Sequence, residues 1–249
     1  MTCLITVIPI YTTMQKRLFR YWIFLWLVAG VFFLYPINNL FLRIGLLGSL
    51  LAVWTGCLFF GFRWKFFRIV FLLLTVSIIG FFFCPGRKYE EEKLRETYVH
   101  ALQSYEGTRY IWGGENKLGI DCSGLVRAGL IKANFRNGLL TLNPRLLRYA
   151  LYLWWHDSSA EALGNEYGQQ TKHLLAQVSL NDLGQNTILP GDMAVTISGV
   201  HIMAFLGDSK WIEADPNLKK VVIVQVPEGN NPWFQESFNI VRWQELASE

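Results

Sequence analysis

The 249 residues divide into two parts of different charge. Residues 1–88 contain no Asp or Glu and nine of the 23 Lys and Arg residues, whereas residues 89–249 contain all 19 acidic residues and the other 14 basic ones, so the net charge of +4 is the sum of +9 and −5. The basic residues flank apolar runs instead of forming a patch with base-reading side chains, which excludes nucleic-acid binding as the reason for the basic pI. We therefore expect a membrane anchor at 1–88 and one soluble domain at 89–249.

Three uncharged apolar runs in the first part predict three transmembrane helices, at about 21–36, 44–62 and 67–84. The middle run has 19 residues, close to the roughly 20 that cross the hydrocarbon core, and the outer two need their flanking aromatic residues to span it. None of the runs has the polar stripe of a soluble helix, and a cleaved signal peptide would explain only the first of them. The sequence leaves open whether the chain starts at Met1 or at Met14.

Basic residues indicate how this anchor is oriented. They cluster before the first run and between the second and third, at Lys16, Arg17, Arg20, Arg63, Lys65 and Arg68. The loop between the first two runs carries only Arg43. By the positive-inside rule, the N-terminus and the second loop are cytoplasmic, so residues 89–249 are expected on the outer side of the membrane.

The cysteines are distributed unevenly. Cys3, Cys57 and Cys84 lie in or beside the membrane part, and Cys122 is alone in the soluble domain. A disulfide within that domain and a metal site built on several thiolates are therefore excluded, and no metal or cofactor is expected. An unpaired thiol outside the cell is a liability unless it is buried or used.

The soluble domain reads as helices followed by strands. We expect an amphipathic helix at about 90–105, an extended segment at 110–114, a helix at 123–133 and an added helical segment at about 141–178. Five short strands follow, at 193–197, 201–206, 210–214, 221–226 and 239–243. Helices first and an antiparallel sheet second predict an α+β domain.

Cys122 lies at the predicted start of a helix, where free N–H groups and the helix dipole stabilise a thiolate and an oxyanion. Such a nucleophile needs a base, usually a histidine held by a third group. The domain offers four histidines, His100, His156, His173 and His201. Position favours His201, because it opens a strand that can aim an imidazole at a helix N-terminus.

Two acidic residues are candidates for orienting His201. Glu213 and Asp215 follow it by 12 and 14 residues, and both separations are even. Either side chain can share the face of His201 if the intervening hairpin loop has an odd number of residues, and a three-residue loop at 207–209 is expected. The choice between Glu213 and Asp215 stays open at this point.

Three motifs in order, YIWGGENKLGIDCSGLV at 110–126, LPGD at 189–192 and HIMAFLGDSKWIEA at 201–214, resemble the NlpC/P60 cysteine peptidases. The resemblance covers most of the soluble domain and none of the membrane part. It implies a papain-like α+β fold with Cys122 as nucleophile, His201 as general base and Glu213 at the third catalytic position. The substrate-binding residues that it implies are Tyr110, Asp121 and Ser123.

The resemblance also implies an activity, and the expected orientation of the anchor implies a location. The expected function is that of a membrane-tethered endopeptidase on the periplasmic or extracytoplasmic side of a bacterial inner membrane. Its expected substrates are peptidoglycan stem peptides, cut between D-Glu and the diamino acid, and a membrane or cell-wall partner protein is conceivable. The alternatives are an amidase or acyltransferase acting on lipids or proteins, and a non-catalytic cell-wall scaffold. The interval between Cys122 and His201 is longer than is usual in the family, and the added segment at about 141–178 accounts for it.

Overall fold

The computed structural model describes residues 4–62, 64–183 and 188–247, with the backbone alone for residues 4–13. Cys3 and Arg63 therefore lie outside the described residues. The chain forms two compact units, one of Met1–Tyr35 and Asn39–Phe83, the other of Pro36–Asn38 and Cys84–Glu249.

The first unit consists of three helices, α1 (Leu4–Leu34), α2 (Leu40–Gly61) and α3 (Lys65–Phe83). Each contains a stretch long and apolar enough to cross a membrane, which in α1 is Met14–Leu34. The three predicted apolar helices are thus present, with α1 beginning earlier than the predicted span. No residue of α3 is buried, and apolar side chains on all sides of a helix are typical of a segment surrounded by lipid.

The second unit begins with helices and ends with strands, as the sequence predicts. Its elements are α4 (Glu91–Gln103), β1 (Glu115–Asn116), β2 (Gly119–Ile120), α5 (Cys122–Leu140), α6 (Pro144–Trp155), α7 (Ala160–Gly164), β3 (Thr171–Val178), β4 (Met193–Thr196), β5 (Ile202–Gly207), β6 (Lys210–Asp215), β7 (Lys220–Gln225) and β8 (Phe238–Trp243). Short 3₁₀ turns occur at Tyr167–Gln169, Pro232–Gln235 and Gln244–Leu246.

Six strands form one antiparallel sheet in the order β3-β8-β4-β5-β6-β7. Helices α4 and α5 pack on one face, where Leu94, Tyr98 and Leu102 at helical spacing enter the main core. The other face carries a second apolar cluster that includes Phe205 and Trp211. The α+β prediction is confirmed, and the sheet has two buried faces.

The added segment at about 141–178 is helical only in part. Helices α6 and α7 occupy its first two thirds, but Thr171–Val178 form strand β3, which pairs with β8 at the edge of the sheet. His173, expected in a helix, therefore lies on a strand. The run TKHLLAQV is compatible with a helix or a strand. It forms a strand because β8 has unpaired backbone groups at its edge with which it can pair.

The β5–β6 hairpin also differs from the expected three-residue loop. Gly207 pairs with Lys210, which leaves a two-residue turn, and a register shift between Phe205 and Gly207 marks a β-bulge. A two-residue turn alone would turn His201 and Glu213 to opposite faces. The extra residue of the bulge restores the even register, in which Met203 pairs with Glu213.

Candidate active site

Helix α5 presents Cys122 at its first position. The Asp121 carboxylate caps the helix, because its Oδ1 accepts hydrogen bonds from the Gly124 N–H at 2.6 Å and the Ser123 hydroxyl at 3.1 Å. Its Oδ2 accepts from the Gly113 N–H at 2.7 Å. A side chain at Gly124 would collide with the Gly114 carbonyl oxygen, 2.1 Å from an ideal Cβ. The glycine after the cysteine thus lets the preceding loop pack against the helix N-terminus.

His201 lies just before β5, and it is 1% exposed. Its Nε2 lies 2.6 Å from Glu213 Oε2, and its ring also hydrogen bonds to Cys122. Since Nε2 is engaged with Glu213, Nδ1 is the nitrogen that faces the thiol. The other three histidines of the unit are exposed. Of the four, the structure brings only His201 to Cys122.

The protonated form of His201 is favoured. Burial lowers the pKa of the imidazole, but hydrogen bonds and negative charge from Cys122 and Glu213 outweigh this effect and raise it to about 9. Protonated imidazolium is therefore the favoured state of His201 near neutral pH.

The two candidate acidic residues have different surroundings. Glu213 is fully buried beside His201. Asp215, also buried, directs Oδ1 to the Asn217 and Leu218 N–H groups at 2.6 and 3.3 Å. Asp215 therefore shapes the β6–β7 turn, and Glu213 is the carboxylate that contacts the imidazole.

Two residues of this site have no signal in the sequence pattern. Asn231 donates its Nδ2 hydrogen to Glu213 Oε1. Trp233 stacks on His201, with ring centroids 4.2 Å apart and planes 14° from parallel. Both come from the loop between β7 and β8, a segment without the periodicity of a strand or a long helix. Only the folded chain brings this loop over the sheet.

The three residues expected to bind substrate lie around Cys122. A cavity of about 190 Å³ is lined by Asp121 and Ser123, the two chain neighbours of Cys122, together with Trp112 and Glu115. Tyr110 is half-buried, and burial together with the negative charges of Cys122, Asp121 and Asp215 raises its pKa. Within the described part of the chain, no group of three or more His, Cys, Asp and Glu residues could hold a metal ion.

A sequence profile of the NlpC/P60 family matches residues 107–242, more than half of the chain. The chain belongs to the NlpC/P60 family. The match includes Cys122, His201 and Glu213 and leaves out residues 1–88. The family consists in general of cysteine peptidases that hydrolyse peptidoglycan, so this chain falls within a peptidoglycan hydrolase family, and its papain-like α+β fold agrees with that membership.

Individual proteins match different shares of the chain. A stretch of 37 residues is 54% identical to dipeptidyl-peptidase 6 of Lysinibacillus sphaericus and covers 15% of this chain and 14% of that protein. Similar solved structures include NlpC2 of Trichomonas vaginalis, 15% identical over 63% of this chain and 49% of that one with a TM-score of 0.40. They also include the peptidoglycan hydrolase RipB of Mycobacterium tuberculosis, 18% identical over 61% and 65% with a TM-score of 0.37. The chain spans less than two thirds of each of these three proteins.

Proposed function

We propose that this protein is a membrane-tethered cysteine endopeptidase that hydrolyses peptide bonds in peptidoglycan stem peptides. The observation that carries the proposal is the hydrogen-bonded series Cys122–His201–Glu213 at the buried N-terminus of helix α5. A nucleophile, a base and a group that orients the base are the minimum set for acyl transfer through a thioester.

In the proposed reaction the Cys122 thiolate attacks the carbonyl carbon of the scissile bond, and a C–S bond forms. The backbone N–H of Cys122, at the first helical position and without an intrahelical partner, stabilises the oxyanion. The His201 imidazolium gives its Nδ1 proton to the leaving nitrogen, and the C–N bond breaks. Neutral His201 then takes a proton from water, which attacks the thioester and releases the carboxylate product and the thiolate.

Substrate contacts are proposed for Tyr110, Asp121 and Ser123, which lie next to the nucleophile. Asp121 already accepts three hydrogen bonds, from two backbone N–H groups and one hydroxyl. Its remaining negative charge can still attract a substrate amine at the edge of the 190 Å³ cavity. The proposed bond is the one between D-Glu and the diamino acid, whose free amine would meet this acidic side of the site.

The proposed location is the bacterial inner membrane, with the second unit on the extracytoplasmic side. Three helices of sufficient length and apolarity support the tether. The basic residues before the first apolar run and between the second and third runs support its direction. Substrate access follows from this direction, because peptidoglycan lies outside that membrane.

The test uses the full chain in lipid nanodiscs with defined stem peptides, and mass spectrometry identifies the products. We expect a new amino terminus on the diamino acid. Cys122→Ala should abolish cleavage, whereas Cys84→Ser, at the other described cysteine of this unit, should leave it unchanged. Activity retained in Cys122→Ala would overturn the mechanism. If the protein instead releases or transfers an acyl group from lipid or protein and does not cleave stem peptides, its reaction is that of an amidase or acyltransferase.

A further inference from the structure

Helix α5 ends in an exposed apolar cluster, on the side of the unit opposite to Cys122. Phe135, Leu139, Leu140 and Leu142 are 52%, 50%, 72% and 68% exposed. Phe135 and Leu139 are four residues apart and therefore lie on one side of α5, and Leu140 and Leu142 lie at its last residue and in the turn that follows. A contiguous apolar surface of this kind, unlike scattered exposed leucines, marks a binding surface.

The chain that follows α3 is attached at this same place. Asn143, which caps α6, donates from Nδ2 to the Arg87 carbonyl at 2.9 Å and accepts at Oδ1 from the Arg87 N–H at 3.2 Å. Arg148 Nη1 donates to the Cys84 carbonyl at 2.8 Å. Because α3 ends at Phe83 and Cys84 follows it directly, the chain that leaves this apolar helix enters the second unit at the segment that α6 holds.

A cationic cavity adjoins the leucines. It measures about 170 Å³, and beside apolar side chains its lining includes the polar residues Arg87, Lys88, Glu90, Lys93, Asn137, Thr141 and Asn143. Asn137 is 6% exposed, and its Nδ2 has no hydrogen-bond partner among the described residues. Three cationic side chains, one carboxylate and an unused buried N–H donor suit an anionic oxygen ligand of modest size.

We propose that the α5–α6 turn, residues 135–145, binds the surface of the bilayer. Its leucines enter the apolar layer beneath the headgroups, and the adjoining cavity takes the phosphate group of an anionic phospholipid. This inference rests on the membrane tether of the proposed function and adds the orientation of the catalytic unit. Helix α5 has 19 residues, so Cys122 lies about 27 Å from the turn along the helix axis, at 1.5 Å per residue. A turn held at the lipid surface thus directs the nucleophile away from it, toward the cell wall.

Fluorescent probes at single cysteines test the contact. In the full chain with Cys3, Cys57, Cys84 and Cys122 replaced by serine, a polarity-sensitive probe is attached at Leu140→Cys, Leu118→Cys or Val76→Cys. Leu118 is the matched control, because it is 58% exposed and lies four residues before Cys122. Val76 lies in α3 and reports insertion of the tether.

In vesicles of phosphatidylethanolamine and phosphatidylglycerol, we expect probes at 140 and 76 to shift to the blue and to lose intensity with nitroxide-labelled lipid. The probe at 118 should do neither. If the probe at 76 is quenched but the probe at 140 behaves like the one at 118, the docking is overturned and the membrane tether still stands. An unquenched probe at 76 overturns both.

Two further variants separate the parts of the proposal. Lys93 lines the cavity, so Lys93→Gln should reduce quenching at position 140. Lys210 is an exposed lysine of β6, so Lys210→Gln should not reduce it. Equal quenching in these two variants would overturn the phosphate site. Leu142→Glu should abolish quenching at 140, yet with Cys122 present it should cleave soluble stem peptides at the unaltered rate. Docking without any stem-peptide cleavage by the unaltered protein would contradict the proposed function alone.

Discussion

Replacing Glu213 by glutamine removes the charge beside His201 and keeps the size of the side chain. Glu213 Oε2 accepts from His201 Nε2 at 2.6 Å, and Oε1 accepts from Asn231 Nδ2. In Glu213→Gln the amide oxygen must face the Asn231 donor, so its NH₂ group faces His201 Nε2. That nitrogen must then accept a hydrogen bond, which opposes the imidazolium and places the proton of neutral His201 on Nδ1, toward Cys122.

The pKa of His201 gives the magnitude. Burial lowers this pKa, while Cys122 and Glu213 together outweigh burial and raise it from 6.5 to about 9, a difference that corresponds to about 3 kcal/mol. With about half of this from Glu213, its neutralisation costs between about 1 and 2 kcal/mol, or roughly fivefold to thirtyfold in kcat/KM. The unfavourable tautomer adds to this loss.

The direction of the pH effect follows from the raised pKa. The folded state favours protonated His201, so the stabilisation is complete below pH 6.5 and is lost as the pH rises through about 9. Activity that depends on the imidazolium–thiolate pair falls over the same range. In Glu213→Gln we expect the alkaline limits of both kcat/KM and thermal stability to move to lower pH.

The assay is kcat/KM for stem-peptide cleavage between pH 5 and 10, with thermal unfolding of the same samples. The matched rescue is Glu213→Gln with Asn231→Asp, because a carboxylate at 231 accepts from the new NH₂ group and returns the amide oxygen to His201. We expect this double variant to recover part of the activity. An alkaline limit unchanged in Glu213→Gln, or a double variant no better than the single one, would refute the reasoning.

Two other variants test contacts around the site. Arg127 is 2% exposed, and its Nη1 lies 2.6 Å from both Glu115 Oε1 and Asp157 Oδ1. Arg127→Met leaves the Glu115 carboxylate buried without this cation, so the variant should lower the free energy of unfolding by about 3 to 5 kcal/mol. The control is Arg136→Met, at an exposed position of the same helix, which should change the free energy of unfolding by less than about 0.5 kcal/mol. Similar melting temperatures for the Arg127 and Arg136 variants would contradict the assigned ion pairs. Trp233→Leu removes the ring stacked on His201 and should lower kcat by about tenfold or less with little change in KM, and Trp233→Phe should restore most of it. A fall in kcat that the phenylalanine does not reverse would argue against stacking as the cause.

The sequence determined the elements that depend on local pattern. Apolar runs without charge are sufficient to predict α1, α2 and α3, because their apolarity does not depend on what surrounds them. The spacing of Leu94, Tyr98 and Leu102 predicted α4 and its buried side for the same reason. The DCSG motif placed Cys122 at a helix start, since Asp121 is a strong N-cap residue and Gly124 tolerates the close loop.

Other features depended on partners distant in the chain. Thr171–Val178 became a strand because β8 offers an edge. A bulge that no residue pattern announces keeps both Glu213 and Asp215 in even register with His201, and Glu213 is the one that contacts the imidazole because Asp215 bonds to the β6–β7 turn. Asn231 reaches Glu213 across 18 residues of chain, and Trp233 reaches His201 from 32 residues further along. Local sequence fixes the propensity of a segment and the chemistry of its side chains. Tertiary packing decides which residues come into contact. It therefore sets the charge and the hydrogen bonding around Cys122 and His201.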